Sequence, residues 1–394
     1  MFTAPFVARS DAILSRSIPY NGVPGVSLLA LTREGTIIYS GLAGTLGMDD
    51  NRPINEDTVF YLSSCTNVLT AMCAMVCIDK GFISLDESVL GYLPELERQP
   101  VSQGGVLVPR QNDITLRSLL TMTAGCSNPV SDRVRSQMDA ISSGKHPFVM
   151  TDKSVYLAPL DCQPGTRWAY SASLDWTGAL VERLSNLTLG AFLKKYILEP
   201  CGVTDITFDI TPEMKDRLVG AHFRWICGRV SPRGPIHDLD NVQNHLGGHG
   251  AYGTADALAQ VLLPLINEGK HPITRKEVLS SASVKEMFRE QLNEEQSMWL
   301  NKPTVANQME VLLPDVEKQW GLGFMLTPKG MPSGRGPGSG SWNGFTNTLW
   351  QADPVNGVVM LAFAQIFPEC DESFLSVQDK WERVVYCGIA KQTD

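Results

Sequence analysis

Three short stretches hold side chains whose types and spacing could do chemistry together. In Tyr61-Leu62-Ser63-Ser64-Cys65-Thr66-Asn67-Val68-Leu69-Thr70, an apolar run ends in small hydroxyl residues, and a helix-forming segment, residues 71–80, follows at once. A serine at a helix start meets free backbone N–H groups and the positive end of the helix dipole, which favour developing negative charge. In a Ser-x-x-Lys nucleophile motif, a lysine one turn on stands beside that serine. Here the frame Ser64-Cys65-Thr66-Asn67 places a neutral amide where the base should stand. A serine before a helix is also an ordinary N-cap, and taken alone that is its commoner role.

Tyr170 lies in Trp168-Ala169-Tyr170-Ser171, after Gln163-Pro164-Gly165-Thr166 and before a helix that includes Asp175-Trp176. Such a loop can present a phenol to a pocket, but a pKa near 10 must be lowered by a neighbouring cation before the group serves as a base. The plainer role is a core anchor. Gly340-Ser341-Trp342-Asn343-Gly344-Phe345 precedes an apolar strand. An exposed edge there could offer a backbone N–H to an oxyanion and a tryptophan wall to an acyl group; its plain alternative is a loop-to-strand turn. Metal is the competing chemistry. Of six histidines only His245 and His249 are close, and two ligands at i and i+4 converge only on a helix, which the intervening Gly247-Gly248 disfavours. No metal and no cofactor are expected. His249 is kept as a residue lining the pocket.

The elements that must position these groups are legible from periodicity. Residues 5–18 read as an amphipathic helix, and residues 26–32 and 36–40 as a hairpin around Arg33-Glu34-Gly35. Short helical segments are expected at residues 85–89 and 114–120, and clearer helices at 174–184 and 255–266. Residues 321–326, 346–352 and 358–365 read as strands, and the last segment, with Phe374, Val377, Trp381 and Val385 on one face, as an amphipathic helix. Strands at both ends with helices between them predict a sheet assembled from residues 1–80 and 247–394, with a mainly helical region, residues 81–246, inserted. The active site is expected at their interface.

Composition removes several function classes. With 394 residues, 43% hydrophobic and 19% charged, the chain can bury a large core. A net charge of −9 and no basic run argue against nucleic acid as a partner. No stretch approaches the ~20 apolar residues of a membrane span, and residues 1–16 lack a secretory pattern. Nine cysteines without regular spacing read as free thiols in a reducing cytoplasm.

Taken in order, these segments resemble the serine β-lactamase-like family: class C β-lactamases, related esterases, and fungal acyltransferases of the lovastatin-pathway type. The resemblance is carried by Val23-Pro24-Gly25-Val26 and its hairpin, residues 62–89, Ile114-Thr115-Leu116-Arg117-Ser118-Leu119-Leu120-Thr121-Met122-Thr123-Ala124-Gly125, and residues 164–182, 247–254 and 342–354. Tyr170 with Leu174-Asp175-Trp176, and Leu349-Trp350-Gln351-Ala352-Asp353-Pro354, are most similar to the acyltransferase branch. The family implies an α/β (α+β) fold of the β-lactamase/transpeptidase type, an antiparallel sheet flanked by helices. It implies Ser64 as nucleophile, Tyr170 as proton-transfer partner, and an oxyanion hole from the N–H groups of Ser64 and Phe345. Trp342-Asn343-Gly344 stands where β-lactamases carry Lys-Thr-Gly, so a carboxylate-bearing β-lactam is a poor substrate guess. Trp342, Asn343, Gly344, His249 and Tyr252 are the expected substrate contacts.

The implied partners are a small-molecule acyl donor, thioester or ester, and a hydroxyl acceptor on a hydrophobic secondary metabolite, with a carrier protein as a candidate presenter of the acyl group. Asn67 departs from the family, since an amide takes no proton and supplies no charge. Three consequences stay open: an engineered, inactivating substitution that traps a substrate or acyl complex, a natural residue in a modified mechanism with Tyr170 or His249 as base, or a pocket turned to isomerisation, cyclisation or ligand binding.

Overall fold

The computed structural model describes residues 4–18, 22–127, 158–234, 239, 242, 244–302, 313 and 315–393. An eight-stranded antiparallel sheet is built from both ends of the chain. Its strands are β1 (Gly25–Thr32), β2 (Ile37–Gly47), β3 (Asp50–Pro53), β4 (Gln319–Trp320), β5 (Met325–Thr327), β6 (Ser339–Gly344), β7 (Thr348–Asp353) and β8 (Val358–Phe363). In space they run β4-β5-β6-β7-β8-β1-β2-β3, so β1 meets β8 and joins the two chain ends. The helices that matter here are α1 (Ala4–Ser17), α2 (Thr66–Asp79), α3 (Ser173–Ser185), α4 (Ala255–Leu262) and α5 (Glu372–Thr393).

The two-residue period of a strand decides the layers. Val26, Leu28 and Ala30 of β1, with Val358, Met360 and Ala362 of β8, pack under Phe6 and Leu14 of α1 and Phe374, Val377, Trp381 and Val385 of α5. The intervening Leu29, Leu31, Val359, Leu361 and Phe363 face the opposite layer, a larger core that includes α2 and α4. With both faces covered, β8 reads Val-Val-Met-Leu-Ala-Phe with no polar alternation.

Three sequence expectations change. Residues 85–89 form no helix; Val89 N–H donates to the Ile114 carbonyl (2.9 Å) and Leu116 N–H to that of Glu87 (3.2 Å), so cross-chain pairing takes the groups a helix needs. Residues 340–345, read as an exposed edge strand or a loop-to-strand turn, supply most of strand β6, whose first half lies inside the sheet. Its β5 neighbour pairs only with Ser339, Gly340 and Ser341, so the end from Trp342 onward keeps one open edge. Residues 81–246, of which 128–157, 235–238, 240, 241 and 243 lie outside the described residues, hold helices and also short strands at Val101–Gln103, Val106–Val108, Ile206–Thr207, Ala221–Arg224 and Val230–Arg233. Ile206–Thr207 pairs with Tyr252–Gly253, which pairs with Phe60–Tyr61, so one small ladder ties this region to the residues before α2. Five cysteines are buried, Cys162 and Cys370 are half-buried and Cys227 and Cys387 are exposed; all nine are free thiols. Among the described residues no helix is long and apolar enough to cross a membrane.

The loop before β6 is pinned by a buried ion pair. Arg335 Nη2 lies 2.8 Å from Glu382 Oε2 of α5, both residues buried, and Ser333 Oγ donates to the same carboxylate at 2.6 Å. Removing one partner strands a charge in low dielectric. Arg335→Met is expected to lose about 3–5 kcal/mol in urea unfolding, and adding Glu382→Gln to recover more than half of that. A loss below about 1 kcal/mol would show that the pair behaves as a solvated surface bridge.

Candidate active site

From Thr58 to Cys77 every residue is buried except Ser64. The chain reaches it through a single 3₁₀ turn, Ser63–Cys65, and α2 begins only at Thr66. Ser64 therefore stands just ahead of the helix rather than on its first turn. The turn is bound into its surroundings on several sides. Thr66 Oγ1 donates to the Ser63 carbonyl (2.6 Å) and accepts from Ala251 N–H (3.1 Å), while Leu62 N–H donates to the Ala251 carbonyl (2.9 Å). Cys65 Sγ donates to the Thr348 carbonyl at 3.2 Å.

The open end of β6 closes against this turn. A Cβ on Gly344 would stand 2.3 Å from Thr348 Oγ1, 2.8 Å from Ser63 Cβ and 2.9 Å from the Leu62 carbonyl, so only glycine lets the strand approach. The next N–H, that of Phe345, consequently points at the turn and donates to Ser63 Oγ at 3.2 Å. Ser63 itself has φ +51°, a left-handed conformation that is strained for a residue with a Cβ.

On α2, Asn67 is wholly buried. The amide orientation that satisfies both its ends has Oδ1 accepting from Tyr170 Oη (3.0 Å) and Trp342 Nε1 (3.2 Å), with Nδ2 donating to the Gly248 carbonyl (2.8 Å). Gly248 is set by Asp175 of α3, whose Oδ1 accepts the Gly248 N–H at 2.8 Å; a Cβ on Gly248 would lie 2.8 Å from Asp175 Oδ2. The Tyr170 ring packs on Trp342 at 5.1 Å, and Trp342 meets Trp320 edge-on at 4.7 Å. Trp320 is fixed in turn by Trp168 (5.3 Å) and by a 3.0 Å bond from its Nε1 to the Leu120 carbonyl.

Tyr170 is the chemical centre of the cluster. Burial pushes its phenol up to about 12 and the Glu369 carboxylate raises it further, while hydrogen bonds from Ser64 and Trp342 pull it down; Asn67 Oδ1, which accepts the phenol's own hydrogen, favours the protonated form. Two hydrogen bonds thus fail to offset desolvation, with no cation beside the phenol among the described residues. At neutral pH the group is a phenol, able to accept a bond from the Ser64 hydroxyl while donating its own hydrogen to Asn67 Oδ1.

The structure brings Ser64, Asn67, Tyr170, Trp342 and the Phe345 amide together, with Gly344 as the residue that permits the approach. The remaining expected contacts have partners of their own. Asn343 alternates with Trp342 along β6 and donates from Nδ2 to Glu369 Oε1 (3.0 Å). Tyr252 packs on Tyr61 at 5.2 Å, in a wall that reaches Phe345 through Tyr61 at 5.8 Å. His249 turns Nδ1 toward Asp175 Oδ1 (3.7 Å), and His245 sits between Asp209 and the Gly190 N–H, so the two histidines have separate partners. Sequence reading missed Ser63, Gly248 and Glu369. Only Ser63 left a trace, the serine doublet, whereas Glu369 follows Phe367-Pro368 with no local signature.

A family model described as Beta-lactamase matches residues 14–374. The chain belongs to the beta-lactamase family. An ML-236A carboxylate methylbutanoyltransferase of Penicillium citrinum is 28% identical over 98% of this chain and 96% of its own. A lovastatin esterase of Penicillium rubens is 28% identical over 88% of this chain and 90% of its own. Unliganded simvastatin synthase from Aspergillus terreus superposes with a TM-score of 0.84 at 27% identity, covering 98% of both chains. Within the beta-lactamase family this chain is an enzyme of the acyltransferase and esterase kind.

The folded value of Tyr170 lies above the unfolded value near 10. Its contribution to stability is therefore intact below about pH 10 and is lost as pH rises toward 12. Ultraviolet difference titration of this protein against Tyr170→Phe should show no Tyr170 ionisation by pH 10. Asn67→Lys should bring that ionisation down by at least about one unit, because it adds an opposite charge beside the phenolate. Ionisation near pH 10 in the unaltered protein would mean that the phenol is solvated.

Proposed function

We propose that the protein transfers an acyl group from a small-molecule thioester or ester to a hydroxyl of a hydrophobic metabolite, through an ester on Ser64. The observation that carries this reading is Ser64 as the one partly open residue of an otherwise buried helix entry, with the Tyr170 phenol bonded to Asn67 one turn on. Ser64 Oγ attacks the acyl carbonyl as its proton passes to the Tyr170 phenolate, and Tyr170 returns the proton to the departing thiol or alcohol. The acceptor hydroxyl then loses its proton to Tyr170 and attacks the acyl carbon, and Ser64 takes the proton back. The N–H groups of Ser64 and Phe345 are the donors for the oxyanion in both steps. Asn67 keeps the geometry of the family's lysine position without its charge.

Transfer and hydrolysis share the acyl-enzyme and differ in what attacks it. The Tyr170–Trp342–Trp320 aromatic wall favours an apolar acceptor over water. Relatives are named as methylbutanoyltransferases of ML-236A carboxylate and of monacolin J acid, which supports transfer, and a carrier protein is a fitting presenter of the acyl group. The free thiols suit a cytoplasmic setting. A second reading, ligand binding or non-acyl chemistry in the same pocket, is favoured by the raised phenol: at about 12, roughly one Tyr170 in 10⁵ is ionised at pH 7.

Intact mass after incubation with an activated acyl thioester tests both readings. A slow adduct is expected on Ser64 and none in Ser64→Ala. Its rate should rise about tenfold per pH unit between 7 and 10, following the ionised fraction of Tyr170. Asn67→Lys should accelerate it about 10²–10⁴-fold. No adduct in either the present protein or Asn67→Lys would leave the second reading in possession.

A further inference from the structure

We propose that Ser63 is a positioning residue that holds the oxyanion donor in reserve: its hydroxyl occupies the Phe345 N–H and competes with the substrate oxygen for it. The inference rests on the Ser64 acyl-enzyme reading and deepens it.

The Phe345 N–H is the donor that the end of β6 directs toward the nucleophile turn, and its acceptor there is Ser63 Oγ at 3.2 Å. Ser63 is completely buried while Ser64 beside it is open, so the hydroxyl reaches the N–H from within the protein, whereas a substrate must reach it from the Ser64 side. One hydrogen shared between two acceptors binds each less well than a dedicated one. The developing oxyanion wins that contest because its bond is charge-assisted, but it starts from a donor already engaged.

The backbone of Ser63 has no freedom to withdraw. Its carbonyl accepts from Thr66 Oγ1 at 2.6 Å, its Cβ faces Gly344 too closely for any larger neighbour, and its φ of +51° is kept against its intrinsic preference. Rotation about χ1 is therefore the motion left to it. In one rotamer the Phe345 N–H is capped; in another it is released and the hydroxyl must seek a different partner inside the protein. An alanine has no hydroxyl and leaves the donor permanently available. A glycine does the same and also removes the left-handed strain.

The Asn67→Lys protein is the parent for the kinetic test, since its acylation is fast enough to time. Single-turnover acylation of Ser64 is measured by intact mass with an activated ester and with its matched thionoester, whose sulfur accepts N–H bonds weakly. Adding Ser63→Ala is expected to raise ester acylation about tenfold, part of the 10²–10³ that one oxyanion donor can contribute, while the thionoester rate stays within about twofold. Ser63→Gly should match alanine with the ester but melt at a higher temperature, which separates the hydroxyl from the strain. In the chain without Asn67→Lys, hydrogen exchange of the Phe345 amide should quicken at least about tenfold in Ser63→Ala, with Leu349 unchanged.

Equal change for ester and thionoester, or slower ester acylation in Ser63→Ala, would overturn the proposal, because the hydroxyl would then be structural or supportive. So would unaltered Phe345 exchange, whatever the kinetics. Absence of any Ser64 adduct in the Asn67→Lys parent is a different failure: it removes the acyl-enzyme reading, and the role of Ser63 with it.

Discussion

The close approach of the β6 end to the Ser63–Cys65 turn is the constraint on which the rest of this protein depends. It requires Gly344, since any side chain there would strike Ser63, Leu62 and Thr348. It requires β5 to stop pairing at Ser341, so that the strand has an edge left to offer. It also requires the turn to be held from the other side by Thr66, Ala251 and Thr348. These contacts unite residues 282 positions apart, and they bring a backbone donor, the Phe345 N–H, onto the turn that carries Ser64.

The second determinant is electrostatic. The cluster around Tyr170 has the hydrogen-bonding completeness expected of a buried polar network, since Asn67 uses both ends of its amide and Tyr170 meets three partners. Completeness is not activation. Hydrogen bonds to a phenolate lower its pKa, yet burial and the Glu369 charge act the other way, and the balance leaves the phenol near 12. A lysine ammonium at residue 67 would reverse that balance, because a charge a few ångströms away in low dielectric outweighs the neutral dipoles that replace it.

Much of the fold was legible because local periodicity and tertiary burial agree. The hairpin at residues 26–40, the helix at 174–184 and the C-terminal helix all form where alternation or a 3.6-residue period placed them. Disagreement arose where long-range pairing overrode local preference. Residues 85–89 look helical on their own but spend their backbone groups on residues 114–116. The segment before Phe345 is an edge strand or a turn by its sequence alone, and pairing with β7 along its length makes it a strand.

By itself, the sequence determined the nucleophile frame, the missing charge at residue 67, the pairing of Ser64 with Tyr170 as candidates, and the order of segments that marks the family. These are matters of residue type and spacing, which survive without coordinates. Only the tertiary structure decided that Ser64 lies ahead of α2 rather than on it, that the Phe345 N–H already has an acceptor in Ser63, and that Asn67 is anchored through Gly248 to Asp175. It also set the protonation of Tyr170. Each of those depends on distances and burial among groups far apart in the chain, and no local pattern encodes desolvation.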